Sequence, residues 1–221
     1  KLDPLEATRI TLRGHRPPPK EGPIPYALVG AGAFGTHMLV PQMRKNRGLY
    51  FLRGVVSRNT TQGGNFASNN QVQIVTTDLK KVLKDPEFDL VVIATRHHEH
   101  AAQTIRSLQA GKHVFVEKPL AINWKELDQV TKTYRDMKTR PLLLVGFNRR
   151  FSPALQKLKE VLEGRTTPLM IHYRLNGGYI PLDSWIQDKQ RAGRNIGEAC
   201  HMDEVFRFLA GAPVVSVQAS C

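Results

Sequence analysis

A chain of 221 residues with 41% hydrophobic content holds enough apolar mass for one full domain and part of a second. No stretch approaches the roughly 18 apolar residues of a membrane span, no secretory leader opens the chain, and two cysteines are too few for a disulfide scaffold, which together point to a reduced, cytoplasmic setting. The formal charge of +13 does not indicate nucleic-acid binding, because lysines and arginines are scattered among acids and apolar residues and describe a solvated surface that attracts anionic ligands.

Residues 1–22 carry Pro17-Pro18-Pro19 and Gly22 without apolar periodicity and read as a linker or surface arm. From 23 to 145 apolar runs alternate with helical patterns, the signature of an α/β Rossmann domain with a doubly wound parallel sheet. The strands are expected at 24–30, 50–57, 72–75, 90–95, 113–117 and 142–145. All are continuous Val/Ile/Leu-rich runs, as strands buried on both faces require. Helices are expected at 34–45, 79–84, 99–110 and 124–137, with Pro41 bending or delaying the first and Gly111 closing the third. Residues 146–221 read as a second unit. Ser152-Pro153 begins a helix to about 162, a strand is expected at 169–176, a helix at 198–209 and a strand at 214–219.

Gly30-Ala31-Gly32-Ala33-Phe34-Gly35 joins the first strand to the first helix with the spacing of a dinucleotide-binding turn. Gly30 allows the tight turn, Gly32 admits a pyrophosphate, and Gly35 lets the helix approach the strand, while Ala33 and Phe34 bring the first helical N–H groups to the phosphates. The second strand ends in Ser57 and Arg58 with no acid to bind a ribose 2′-hydroxyl; a guanidinium there suits a 2′-phosphate, so NADP is expected before NAD. Thr95, Arg96 and His100 follow the fourth strand and should border the cofactor. The cluster His97-His98-Glu99-His100 lacks the spacing of a zinc-binding helix, and no metal is expected. Glu117-Lys118-Pro119 closes the fifth strand at the edge where such sheets hold ligands. The Lys118 ammonium can there hydrogen-bond a hydroxyl under oxidation and stabilise the alkoxide, and a cis bond before Pro119 would set its direction.

Taken with Gly146-Phe147-Asn148-Arg149-Arg150-Phe151 and Gly197-Glu198-Ala199-Cys200-His201, the run Gly111-Lys112-His113-Val114-Phe115-Val116-Glu117-Lys118-Pro119-Leu120 resembles the Gfo/Idh/MocA oxidoreductases from about Ile24 onward. The resemblance implies an enzyme transferring a hydride between a nicotinamide cofactor and a secondary alcohol of a sugar, inositol or nucleotide sugar. For residues 146–221 it implies the start of a second α/β domain with an open mixed sheet, incomplete at this length. It implies Lys118 and His201 as catalytic residues and Glu117 beside the cofactor. The family places an acid four residues before the histidine; this chain has Gly197 there, and Glu198 stands one place later as its substitute. Asn148, Arg149, Arg150, Asn176, Tyr179 and Trp185 become substrate-binding candidates, and a homo-oligomer through the second domain is the implied assembly. The alternative is a non-catalytic NADP(H)-binding sensor.

Overall fold

In the computed structural model, which describes residues 9–11, 22–184, 187–188 and 193–218, the chain divides into two units, residues 1–145 and 146–221. The first is built on a seven-stranded sheet: β1 (Arg9–Thr11), β2 (Ile24–Val29), β3 (Tyr50–Val56), β4 (Ile74–Thr76), β5 (Leu90–Ile93), β6 (His113–Val116) and β7 (Leu143–Val145). Their spatial order is β1-β4-β3-β2-β5-β6-β7. Every pairing from β4 across to β7 is parallel. Winding outward in both directions from β2 leaves a crevice beyond the carboxyl ends of β2 and β5, where the chain reverses its direction of travel. β1, in the stretch expected as a linker, pairs antiparallel with β4 at the sheet's edge.

Side chains alternate along each strand, so the sheet has two apolar faces and needs a helical layer on each. Ala27, Val29, Val91 and Ile93 share one face with Leu79 and Val82 of α3 (Leu79–Lys84) and Leu108 of α4 (His97–Gln109). α5 (Trp124–Asp136) adds the partly buried Tyr134 there. Tyr26, Leu28, Val55 and Val92 face the other way, onto Val40 of α1 (Val40–Lys45) and Ala67 of α2 (Thr60–Asn69). One irregularity interrupts β3: Tyr26 pairs with Leu52 but Ala27 with Gly54, so Arg53 is an extra residue, a β-bulge. Its guanidinium lies 5.6 Å from the Phe88 ring and donates to Gln73 Oε1 at 3.0 Å.

The first helix answers its proline. Residues Phe34–Leu39 wind as a π-helix and the α-helical register begins at Val40, so that Pro41, which has no N–H to give, falls just after the change of register. α2 lies where no helix was expected; its N-cap Asn59 accepts from the Gln62 N–H at 2.9 Å. Lys112 lies buried, its ammonium donating to the carbonyls of Asp85 (2.8 Å) and Phe88 (2.7 Å) and tying the turn before β6 to the turn before β5.

In the second unit, Ser152 caps α6 (Pro153–Leu162) through its hydroxyl. A π-helical turn at Asn195–Ala199 leads into α7 (Cys200–Ala210), which Gly211 closes at φ +70°. Lys159 of α6 donates to the Leu209 carbonyl at 3.4 Å, joining the two helices. The strand expected at 169–176 has no ladder partner among the described residues, and neither has the described part of 214–219; Met170 and Val215 stand 95% and 93% exposed. Alternation makes a segment competent for a sheet, but the neighbouring strand's hydrogen bonds make it one.

Candidate active site

Because β2, β3, β5 and β6 run parallel, the segments that leave them emerge at one edge of the sheet. That edge collects Gly30 to Gly35 after β2, Ser57 and Arg58 after β3, Thr95 and Arg96 after β5, and Glu117 and Lys118 after β6.

The glycine turn has the shape a diphosphate requires. Gly30 holds φ +100°, and a Cβ there would lie 2.6 Å from the Ala94 carbonyl oxygen. At Gly35 it would meet the Gly30 carbonyl oxygen at 3.0 Å and the Ala94 methyl at 3.2 Å, the close helix–strand approach anticipated from the spacing. A Cβ at Gly32 would meet nothing within 4 Å, so the backbone there faces open space that a ligand can enter. These residues fit a dinucleotide. Gly30→Ala is expected to lower unfolding stability by about 2 kcal/mol, from the positive φ and the carbonyl contact together, as measured by urea unfolding.

After β3, the Arg58 guanidinium sits 3.2 Å from Glu99 Oε1 and is mostly solvent-exposed, whereas the Ser57 hydroxyl is buried and donates to the Asn59 carbonyl at 2.9 Å. Of the two residues expected to meet a 2′-phosphate, Ser57 is thus turned to the backbone and Arg58 is exposed. Sequence reasoning missed Glu99 as its partner, although an acid in the first turn of α4 is a usual complement to the helix dipole.

After β5, Thr95 donates its hydroxyl to Gln103 Oε1 at 2.8 Å, and Arg96 occupies the N-cap of α4. His100, expected to border the cofactor, lies beneath this loop at 1% exposure. Its Nδ1 lies 2.8 Å from the Pro119 carbonyl oxygen and its Nε2 3.2 Å from that of Thr95. Burial pushes its pKa below the usual histidine value, against the backbone groups of Pro119, Thr95 and Glu117 and the charge of Glu99, and so favours the neutral ring. Among the described residues, no three metal-ligating side chains converge.

After β6, the Glu117 N–H bonds to the Ile93 carbonyl at 2.9 Å, which draws the Glu-Lys-Pro turn against the end of β5. The Glu117 side chain is buried, and burial raises its carboxyl to about 7 although the Lys118 N–H and ammonium both oppose the rise. Lys118 is half-buried, and its bond to Pro119 is cis.

In the second unit, His201 lies in the first turn of α7 at 7% exposure, edge-on to Phe147 with ring centroids 6.2 Å apart. Glu198, half-buried, precedes it in the π-helical turn. Glu204, one turn beyond His201, is buried and forms an ion pair with Arg150, whose guanidinium also covers the Phe208 ring at 5.4 Å. Arg149 donates to the Tyr173 hydroxyl. Asn148, Asn176 and Tyr179 are exposed, and Trp185 lies outside the described residues.

Comparison with known proteins agrees with this architecture. Over 130 residues the chain is 36% identical to the 4-carboxy-2-hydroxymuconate-6-semialdehyde dehydrogenase of Sphingobium sp., covering 59% of this chain and 40% of that one. It is 33% identical over 144 residues to the myo-inositol 2-dehydrogenase of Thermotoga maritima, covering 58% and 42%. A solved structure of GenD2 from gentamicin A biosynthesis in complex with NAD superposes with a TM-score of 0.74 at 25% identity, over 92% of this chain and 57% of that one. The chain thus spans about half the length of the relatives it matches. Residues 24–147 match the Gfo/Idh/MocA profile, described as an oxidoreductase family with an NAD-binding Rossmann fold, and the chain belongs to that family.

Proposed function

We propose that this chain binds an NAD(P) dinucleotide across the carboxyl edge of its sheet and supports reversible oxidation of a secondary alcohol on a sugar, inositol or nucleotide sugar. The observation that carries the reading is the convergence on that edge of a glycine turn open at Gly32 and a Glu-Lys pair drawn to the end of β5. The diphosphate would lie against Gly30 to Gly35 at the start of the first helix. Bound there, the nicotinamide would accept or return the hydride. Lys118 would donate a hydrogen bond to the alcohol oxygen and stabilise the charge that develops as the C–H bond breaks. His201 would take the hydroxyl proton, for which a neutral imidazole is suited, and Glu198 would orient it. Arg149 would hold an anionic group of the substrate, while the Nε and Nη2 edge of Arg150 is taken by Glu204. A relative named as a myo-inositol 2-dehydrogenase supports both the reaction class and the polyhydroxy substrate.

NADP is the proposed preference. The exposed Arg58–Glu99 pair is worth under about 1 kcal/mol, so a 2′-phosphate can displace the carboxylate. Arg58→Ala is expected to weaken NADP binding by about tenfold and leave NAD unaffected; Glu99→Gln should tighten NADP by about two- to fivefold. Isothermal titration with both dinucleotides measures this, and equal losses for NAD and NADP in Arg58→Ala would reject the preference.

Thermal stabilisation by NADP or NAD, followed by nicotinamide absorbance changes with myo-inositol, glucose and UDP-glucose, tests the function. Stabilisation without turnover would favour a cofactor-binding sensor, and absence of both would refute the proposal.

A further inference from the structure

Between α4 and the Glu-Lys-Pro turn, one imidazole lies among backbone carbonyls of loops that leave adjacent strands, with Glu117 as well as Pro119 contributing from the turn. Thr95 follows β5 and Pro119 follows β6, and His100 reaches both from the first turn of α4, at 3.2 Å and 2.8 Å. A neutral imidazole has one N–H, so it donates to one carbonyl and presents a lone pair to the other. The shorter contact and the buried setting assign the proton to Nδ1, with donation to the Pro119 oxygen.

Pro119 is the residue after Lys118, and its carbonyl belongs to the same short turn. The same turn is fixed to the sheet by the Glu117 N–H bond to the Ile93 carbonyl at 2.9 Å. The lysine backbone is thus held on both sides, by a strand before it and by a side chain after it. We infer that His100 is a positioning residue for Lys118: its Nδ1–H holds the Pro119 carbonyl and thereby sets where the ammonium is presented. The inference rests on the proposed role of Lys118 in alcohol oxidation. His100 touches neither substrate nor cofactor in this role; it acts through the backbone of the turn.

Two amide substitutions separate the ring's two edges. In His100→Asn the side-chain amide nitrogen falls near the place of Nδ1, and in His100→Gln it falls near that of Nε2. In the full chain, His100→Gln should lower kcat by about tenfold to a hundredfold with little change in KM or dinucleotide Kd, whereas His100→Asn should restore most of kcat. Equal kcat in both variants and the parent, or equal loss in both in step with melting temperature, overturns the inference. A parent chain that binds dinucleotide without turning over any alcohol refutes the function and not the clamp. The Lys118 and Leu120 amide resonances then decide: His100→Gln should shift them and His100→Asn leave them in place, and unmoved resonances in folded His100→Gln overturn the inference.

Discussion

Replacing Lys118 by alanine is expected to lower kcat by about 10²–10³-fold while the dinucleotide Kd stays within about twofold. The glycine turn that would hold the diphosphate follows β2, whereas Lys118 follows β6, two strands away in the sheet. On the proposed role, its loss would remove a donor to developing negative charge and would leave the glycine turn unchanged. Arginine should not rescue the variant, because a planar guanidinium on a longer stem cannot place one donor where a compact ammonium stood. The Glu117 carboxyl, whose rise Lys118 opposes, should move further above 7 in Lys118→Ala, which gives a second readout in its titration. Single-turnover absorbance with saturating NADP, read beside a binding isotherm, separates the two effects. Parallel loss of Kd and kcat, or a collapsed melting temperature, would make Lys118 a structural residue and would remove the chemical step from the proposal.

The parts of this site that could be read beforehand are those in which one residue type alone satisfies the backbone. Gly30 was legible because only glycine tolerates φ +100° beside the Ala94 carbonyl, and the apolar runs around it declared a sheet buried on both faces. α2 was illegible: Thr-Thr-Gln-Gly-Gly-Asn-Phe-Ala-Ser-Asn has no apolar stripe, and its glycines oppose helix formation. It forms because Asn59 caps it and because Gly63 comes so near Ser57 that a Cβ would lie 2.8 Å from the serine's own. The segment 169–176 differs in the opposite sense, since alternation was present and no partner strand stands beside it among the described residues. His100 shows a third limit. Its place in the sequence marked it as important, but its partners are carbonyl oxygens 5 and 19 residues away, and any residue supplies a carbonyl. Backbone acceptors leave no trace in side-chain identity, so a clamp made from them becomes visible only in three dimensions.

Glu117→Gln is expected to stabilise the folded chain by about 3 kcal/mol at pH 8 and to have almost no effect at pH 4. Burial raises the Glu117 carboxyl from its ordinary 4.5 to about 7. The folded state therefore binds the proton more tightly than the unfolded state, and this contribution to stability is complete below 4.5. It is lost progressively as pH rises through about 7, because the folded protein must then ionise a carboxyl that the unfolded chain ionises freely. Glutamine keeps the size and the neutral, hydrogen-bonding character of the protonated acid, so the variant should lack that slope. Urea unfolding of both proteins at pH 4, 6 and 8 isolates the group, since every other titrating residue is common to the pair; parallel stability curves would show that Glu117 is solvated and unperturbed. Glu117 lies buried beside Lys118 at the carboxyl edge of the sheet, and glutamine is close to it in size. If the proposed catalytic edge includes this carboxyl, the same variant should shift the pH optimum of turnover as well as the stability, as rate profiles of the two proteins would measure.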